Sequence, residues 1–255
     1  MAQVNRELAT VRVLWLRQIK THWRSRARLA MAVFQPLLFL VSFGFGFRGM
    51  FASAGRGDFI DFLAPGIVGM GVIFSAMFMG IGVIQDRQFG FLKETLVAPV
   101  SRLSIFAGRT LGGATVAVVQ GLMVLAVTLL FGFSPASLGG LAAGLVFMFL
   151  LAALFTALGT ALATFFSDMQ AFPLIINLVV MPMFFLSGAL FPLDGLPRGL
   201  AAALQFNPLA YGVDGLRGSL GGAFHFSGWM DLAVMLACLV AASWIGAQRF
   251  RRMEA

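Results

Sequence analysis

The segment QDRQFGFLKETLVAPVSRLSIFAGR, residues 85–109, decides how this chain is organised. It carries six charges: Asp86, Arg87, Lys93, Glu94, Arg102 and Arg109. On both sides the sequence is apolar for a length that crosses a bilayer. A charge held at the bilayer centre costs about 2.5–3.5 kcal/mol, so this island belongs at a membrane surface, where a soluble partner can grip it.

Composition agrees with a membrane setting. The 255-residue chain is 60% hydrophobic and 11% charged, with a mean hydropathy of +0.93, outside the range of a soluble globular domain. A crossing needs about 20 residues at 1.5 Å rise. Charge-free runs of that order occupy residues 29–47, 62–84, 110–133, 138–166, 171–191 and 232–248. Trp229 and Trp244 mark the two ends of the last and shortest of them, as interfacial aromatics do. The expected fold is therefore all-α: an integral membrane domain of six transmembrane helices over 29–248, preceded by residues 1–28 and followed by a tail at 249–255.

Charge bias orients this arrangement. Fourteen of the eighteen Lys and Arg residues lie before the first run, within the island or in the tail. Arg48, Arg56, Arg198 and Arg217 fall on the other side. The positive-inside rule then places both termini in the cytoplasm. Topology accounts for nearly all of the +8 net charge. No basic groove interleaved with stacking aromatics is visible, so nucleic acid is excluded as a partner.

Residues 1–28 lack the continuous apolar core and small-residue cleavage site of a secretory signal. At about 100° per residue, Val4, Leu8, Val11, Trp15 and Ile19 share one helical face. Arg6, Arg17, Lys20, Arg24 and Arg28 lie opposite, with Arg12 and Arg26 breaking the pattern. This reads as an amphipathic helix lying among lipid headgroups. It serves as a topogenic anchor, as a connection to a cytoplasmic partner, or as both.

Catalytic chemistry is absent from the sequence. Cys238 is the only cysteine, and His22 and His225 are far apart, so neither a disulfide nor a metal cluster is indicated. No HExxH, nucleophile–base arrangement or paired intramembrane carboxylates are apparent. Gly44, Gly46 and Gly49 satisfy GxGxxG, but at the end of an apolar span with no preceding strand. There is no phosphate-binding GxxxxGK[ST] loop, so the chain is not expected to hydrolyse ATP.

Within the island, Phe89, Leu92 and Leu96 fall on one face of a helix, with Arg87 and Glu94 pointing elsewhere. Pro99 ends that helix and Ser101 caps the next. The alternative is a plain solvated loop, although a mere connection needs far fewer residues. Ser167, Asp168 and Met169 are nearly all that joins the fourth and fifth runs.

The outer segment at 192–222 also exceeds a simple connection. Pro197 opens one short helix, and Asn207 followed by Pro208 makes an N-cap with proline at the first helical position. Two short apolar helices there predict a re-entrant hairpin in the outer leaflet, allowed only if protein buries it. Asp214 and Arg217 are placed to pair on the second helix, more readily as structure than as a substrate site. Gln120 and Asn177 are the main mid-span polar groups. They serve as interhelical hydrogen-bonding residues or as lining of a translocation path. Ala152, Thr156, Thr160 and Thr164 form a small-residue ridge for close packing, within or between subunits.

Three motifs in this order resemble the ABC-2 type exporter permeases, closest in pattern to drug-efflux and lipo-oligosaccharide-efflux members. They are ETLVAPVSRLSIFAGRTLGG at 94–113, FFLSGALFP at 184–192 and LPRGLAAALQFNPLAYGVDGLRG at 196–218. The resemblance covers essentially the whole chain. It implies a cytoplasmic coupling helix at about 86–98, with Asp86, Gly90 and Glu94 standing for the family's acidic–glycine–acidic pattern. It also implies docking on a separate ATP-binding subunit in two copies, which would bind ATP and Mg, while this chain holds no cofactor. It implies a second copy of the chain, or a close paralogue, and export across a bacterial or archaeal cytoplasmic membrane. A path between nearly charge-free spans suits an amphipathic or lipid-like solute. The competing classes are a secondary transporter, expected to carry intramembrane ionisable residues and often an internal repeat, and a non-transport membrane protein.

Overall fold

The computed structural model describes residues 2–53, 59–97, 100–191 and 197–251, which are helical without a strand. The elements are α1 (Ala2–Trp23), α2 (Arg26–Ser53), α3 (Phe59–Phe78), α4 (Ile81–Gln88), α5 (Phe91–Val97) and α6 (Arg102–Leu130). They continue with α7 (Leu138–Ala163), α8 (Ala171–Phe185), α9 (Arg198–Gln205), α10 (Pro208–Gly221) and α11 (Gly228–Arg251). Local chemistry sets several starts. The Ser101 hydroxyl accepts from Ser104 N at 3.1 Å to open α6, and the Ser137 hydroxyl accepts from Gly140 N at 2.9 Å to open α7. Asn207 Oδ1 accepts from Leu209 N at 3.1 Å ahead of Pro208, satisfying an orphan donor of α10.

Four runs among the described residues are long and apolar enough to cross a membrane: Phe59–Gln88, Arg102–Leu130, Leu138–Ala163 and Gly228–Phe250. The expected first and fifth spans hold shorter apolar helices, Val33–Phe47 and Ala171–Phe185. The fifth differs from expectation because the helix stops at Phe185 rather than continuing to 191. Ser187 bonds back to Phe184 O at 2.7 Å, and Gly188 takes a φ of 76° that favours glycine. The resulting turn is buried at Ser187, Ala189 and Leu190. Arg217 Nη2 donates to the Gly188 carbonyl at 2.8 Å, supplying a partner that water cannot reach there.

Interactions between loops gather them at two ends of the bundle. At one end, Arg87 donates to Thr164 O and Phe166 O at 3.2 and 3.3 Å, and Gln88 donates to Ser167 O at 2.9 Å. Arg102 donates to Phe250 O at 3.1 Å, and Arg249 lies 4.3 Å over the Phe165 ring. The island, the α7–α8 turn and the end of α11 therefore meet. At the other end, Ala136 N donates to Leu220 O at 2.8 Å, and Arg217 lies 4.0 Å over the Phe62 ring.

The ridge on α7 is spent inside the subunit. Ala152, Thr156 and Thr160 are buried. A Cβ on Gly113 of α6 would lie against Thr156 Cγ2, and one on Gly159 would meet the Met77 backbone. These small residues let α3, α6 and α7 approach closely.

Helix α1 departs from the expected interfacial helix. It runs alongside α6 in the same direction, with Glu7 at Ser101, Trp15 Nε1 donating to Thr115 Oγ1 at 3.0 Å, and His22 at Gln120 at 2.9 Å. A Cβ on Gly108 would sit 3.0 Å from Leu14 Cβ, and one on Gly112 would sit 2.7 Å from Gln18 Cβ. The glycines form the bed for α1. The protein-facing stripe therefore includes Val11, Leu14, Trp15, Gln18 and His22, whereas Val4 and Leu8 are 61% and 63% exposed. One face of α1 thus packs against protein, and the other is left exposed.

Candidate functional site

The island is two short helices hinged at a glycine. Helix α4 ends at Gln88, Gly90 adopts a φ of 80°, and α5 begins at Phe91. The single helix expected over 86–98 is thus broken, and its common apolar face with it. Phe89 is 81% exposed while Leu92 is 3% exposed. Leu92 seats α5 on the bundle, and Phe89, Glu94 and Val97 face outward. Pro99 lies outside the described residues. Arg87 caps the C-terminal carbonyls of α7, where a cation is favoured.

Asp86 also turns inward. It is 6% exposed, so it is not part of the outward face where a docking contact was expected. Its carboxylate accepts from Arg17 Nη1 at 2.8 Å and Nη2 at 2.6 Å, a bidentate pair with good geometry. The same carboxylate pairs with Arg109. Arg17 in turn lies 3.9 Å over the Phe91 ring. Arg17 is held above its ordinary pKa, chiefly by its hydrogen bond to Asp86. Asp86 therefore ties α1, α4 and α6 together, with α5 resting on the same arginine.

The 29 residues of α6 extend about 43 Å at 1.5 Å per residue, against a hydrocarbon core of about 30 Å. The helix is therefore roughly nine residues longer than one hydrocarbon thickness. Arg109 is the eighth residue of α6 counted from its island end, so the Arg17–Asp86–Arg109 cluster lies in the first two turns or so of that helix.

Glu7 pins the start of α6 from outside. Its carboxylate accepts from Ser101 N at 3.0 and 3.1 Å and from Ser101 Oγ at 2.8 Å. Hydrogen bonds from Ser104 and Ser101 hold the Glu7 carboxyl below its ordinary range.

The two polar groups expected along a path lie apart. Gln120 is 1% exposed and bonded to His22. It borders a cavity of about 330 Å³ between α1, α2, α3, α4 and α6. Asn177 lies on the exposed face of α8 beside Leu174 and Leu178, which are 72% and 75% exposed. Its amide donates to Pro173 O at 3.0 Å.

In the outer segment, Pro197 precedes α9 and Asn207–Pro208 opens α10 as expected. Asn207 Nδ2 also donates to Met183 O at 2.7 Å, fastening α10 to α8. Helix α10 is buried along nearly its whole length. Asp214 and Arg217 do not form the expected ion pair; the described ion pairs are those of Asp86. Instead, Asp214 accepts from His225 N at 2.8 Å and Phe226 N at 2.8 Å, while Arg217 serves the Gly188 turn.

The structure also brings two carboxylates near each other. Asp231, in the first turn of α11, is fully buried and lies within interaction range of Asp214. Seventeen positions separate the two in sequence, so no local motif announced the pair.

Comparison with known proteins matches residues 9–220 to the family described as ABC-2 type transporter. A putative transport permease, ycf38, of Porphyra purpurea is 32% identical over 205 residues, covering 76% of this chain and 68% of that protein. The daunorubicin resistance ABC transporter permease protein DrrB1 of Streptomyces coeruleorubidus is 24% identical over 233 residues, 89% of this chain and 79% of that protein. The inner membrane transport permease YadH of Escherichia coli K12 is 27% identical over 207 residues, 80% of each chain. The matched region takes in most of the N-terminal helix, the hinged island and nearly all of the buried α10, and by it this multi-pass membrane chain belongs to the ABC-2 type transporter family.

Proposed function

We propose that the chain is the membrane half of an ATP-driven exporter whose solute is amphipathic or lipid-like: a drug, a lipid or a lipid-linked glycan. Permeases of this family work with an ABC ATP-binding subunit and are not themselves ATPases. In our reading two such subunits, carrying ATP and Mg, act on two copies of this chain or on the chain and a close paralogue. Six crossings are completed by α2 and α8, α9 and α10 form the outer re-entrant hairpin, and both termini face the cytoplasm of a bacterium or archaeon. The nearly charge-free spans support an amphipathic solute over a small ion.

The observation that carries this reading is the outward face of the island. Phe89 and Val97 are 81% and 76% exposed, and Glu94 is exposed beside them. Apolar side chains flanking an acid suit a soluble partner better than bare solvent. Gly90 gives the segment its hinge, and the clamp at Asp86 links α5 to α1 and α6. Nucleotide-driven movement of a docked subunit then has a rigid route into the bundle. Such movement couples only if nucleotide favours one of two discrete states.

The test is Glu94→Lys in the full chain, co-expressed with its ATP-binding subunit. Copurification and vesicle transport should fall together, or ATP hydrolysis should continue without transport. Unfolding of the permease should shift by no more than about 0.5 kcal/mol, as for an exposed site. Normal partner binding and normal transport in this variant would reduce the island to a loop.

A further inference from the structure

The cavity beneath α1 has the features of a ligand site in its own right. Its volume of about 330 Å³ equals the liquid volume of roughly eleven waters and sits at the small end of ligand pockets. All of it is walled by one copy of the chain. Gln120 and Ser75 form part of its floor, at 1% and 8% exposure. Gln120 Oε1 and Ser75 Oγ have no hydrogen-bond partner among the described residues. Buried polar atoms are nearly always paired, so an unpaired amide oxygen and an unpaired hydroxyl beside one cavity mark a place for a group that can donate, and also accept, hydrogen bonds.

The remaining lining narrows that group's chemistry. Gln18, Gln35 and Gln85 add amides and Thr21 adds a hydroxyl. The two charged residues at the wall, Arg17 and Asp86, are committed to each other. A charged head would meet no free counter-charge there and would lose its hydration. Phe74, Phe78 and Met70 provide an apolar wall. The mouth opens between the end of α1 and the first turns of α2, where Thr21 and Gln35 are exposed and Met31 is 70% exposed. In the proposed orientation this mouth faces the inner leaflet.

We infer that this cavity binds the uncharged, hydroxyl- or amide-bearing head group of a single membrane-soluble amphiphile, within one copy of the chain. Gln120 and Ser75 receive its hydrogen bonds, and the Phe74 side holds the first part of its apolar body. The exporter reading supplies only the leaflet that the mouth faces; binding itself needs neither ATP nor a partner subunit.

The experiment uses the purified full chain alone in lipid nanodiscs. The probe is a monooleoylglycerol with a diazirine in its acyl chain, and light-dependent labelling is located by mass spectrometry. Saturable labelling is expected in peptides spanning residues 70–82 and 31–36. Excess unlabelled monooleoylglycerol should reduce it at least fivefold, whereas oleate and oleylamine should not. Ser75→Leu and Gln120→Leu should each lower it at least fivefold, and Val240→Ala on the exposed face of α11 should leave it unchanged. Gln35→Leu, at the exposed mouth, gives a measurable loss even if a floor variant fails to fold. Equal competition by oleate or oleylamine would overturn the inference. So would labelling confined to the outer faces of α8 and α11, or labelling kept by folded Ser75→Leu and by Gln35→Leu. Failure here leaves the exporter reading intact, because that reading is judged by partner binding and transport.

Discussion

Asp86→Asn removes a charge from the island with little change in volume, and the structure makes its consequence specific. The Arg109 side chain is 1% exposed, and its Nε and Nη1 have no hydrogen-bond partner among the described residues. Its hydrogen bond to Asp86 is therefore the main compensation for a buried guanidinium. Stranding one member of a buried pair costs about 3–5 kcal/mol, two to three orders of magnitude in the folding equilibrium at about 1.4 kcal/mol per decade. Arg17 binds the same carboxylate from a side chain that is 36% exposed. Water and salt screen that contact, so Arg17→Met should cost no more than about 1 kcal/mol. The assay is equilibrium unfolding of the purified chain in mixed micelles. Asp86→Leu combined with Arg109→Met should be less damaging than Asp86→Leu alone, because the stranded charge leaves with its partner. A loss for Asp86→Asn no greater than that for Arg17→Met would refute the clamp, as would strictly additive losses in the double variant.

Three further outcomes are expected. Because the Glu7 carboxyl is held below its ordinary 4.5, its contribution is present above that value and disappears as pH falls through the lowered one. Hydrogen-exchange protection of the first turn of α6 should therefore differ between the native chain and Glu7→Gln at neutral pH and converge in acid; a constant difference would exclude the carboxylate. Gly112→Leu places bulk where even a Cβ would lie 2.7 Å from Gln18 Cβ. Overpacking of this kind costs about 1–3 kcal/mol, and a shift in tryptophan fluorescence should report Trp15 leaving Thr115, with an unchanged spectrum counting against the glycine bed. In a Cys238→Ser chain, Ala223→Cys should react with impermeant reagent in intact cells while Ser167→Cys should need permeabilised ones; the reverse would invert the orientation.

The first turn of α6, the opening of α10 and the position of the charged island were legible in the sequence for one reason. Each rests on contacts within a few residues, or on a charge that lipid will not accept. Ser101 caps its own helix three residues on, and Asn207 caps its helix two residues on. The break at Gly90 was less legible, since a glycine among helix-forming neighbours permits a positive φ without requiring it. The truncated α8 was hidden because residues 186–191 are as apolar as the helix before them. Hydropathy reads burial there and cannot tell helix from a buried turn.

By itself the sequence determined that this is a helical membrane protein, which residues must stay out of the hydrocarbon, and where several helices begin. These follow from the bilayer's thickness and dielectric, and from short-range hydrogen bonding. Tertiary structure alone decided that Asp86 is a clamp, through partners 69 and 23 residues away. It also decided that α1 rests on Gly108 and Gly112, that Gln120 borders a cavity while Asn177 faces outward, and that Asp214 meets Asp231. A charge states in sequence that it needs compensation, but its neighbours are chosen by helix packing across distant segments, and no local pattern encodes that choice.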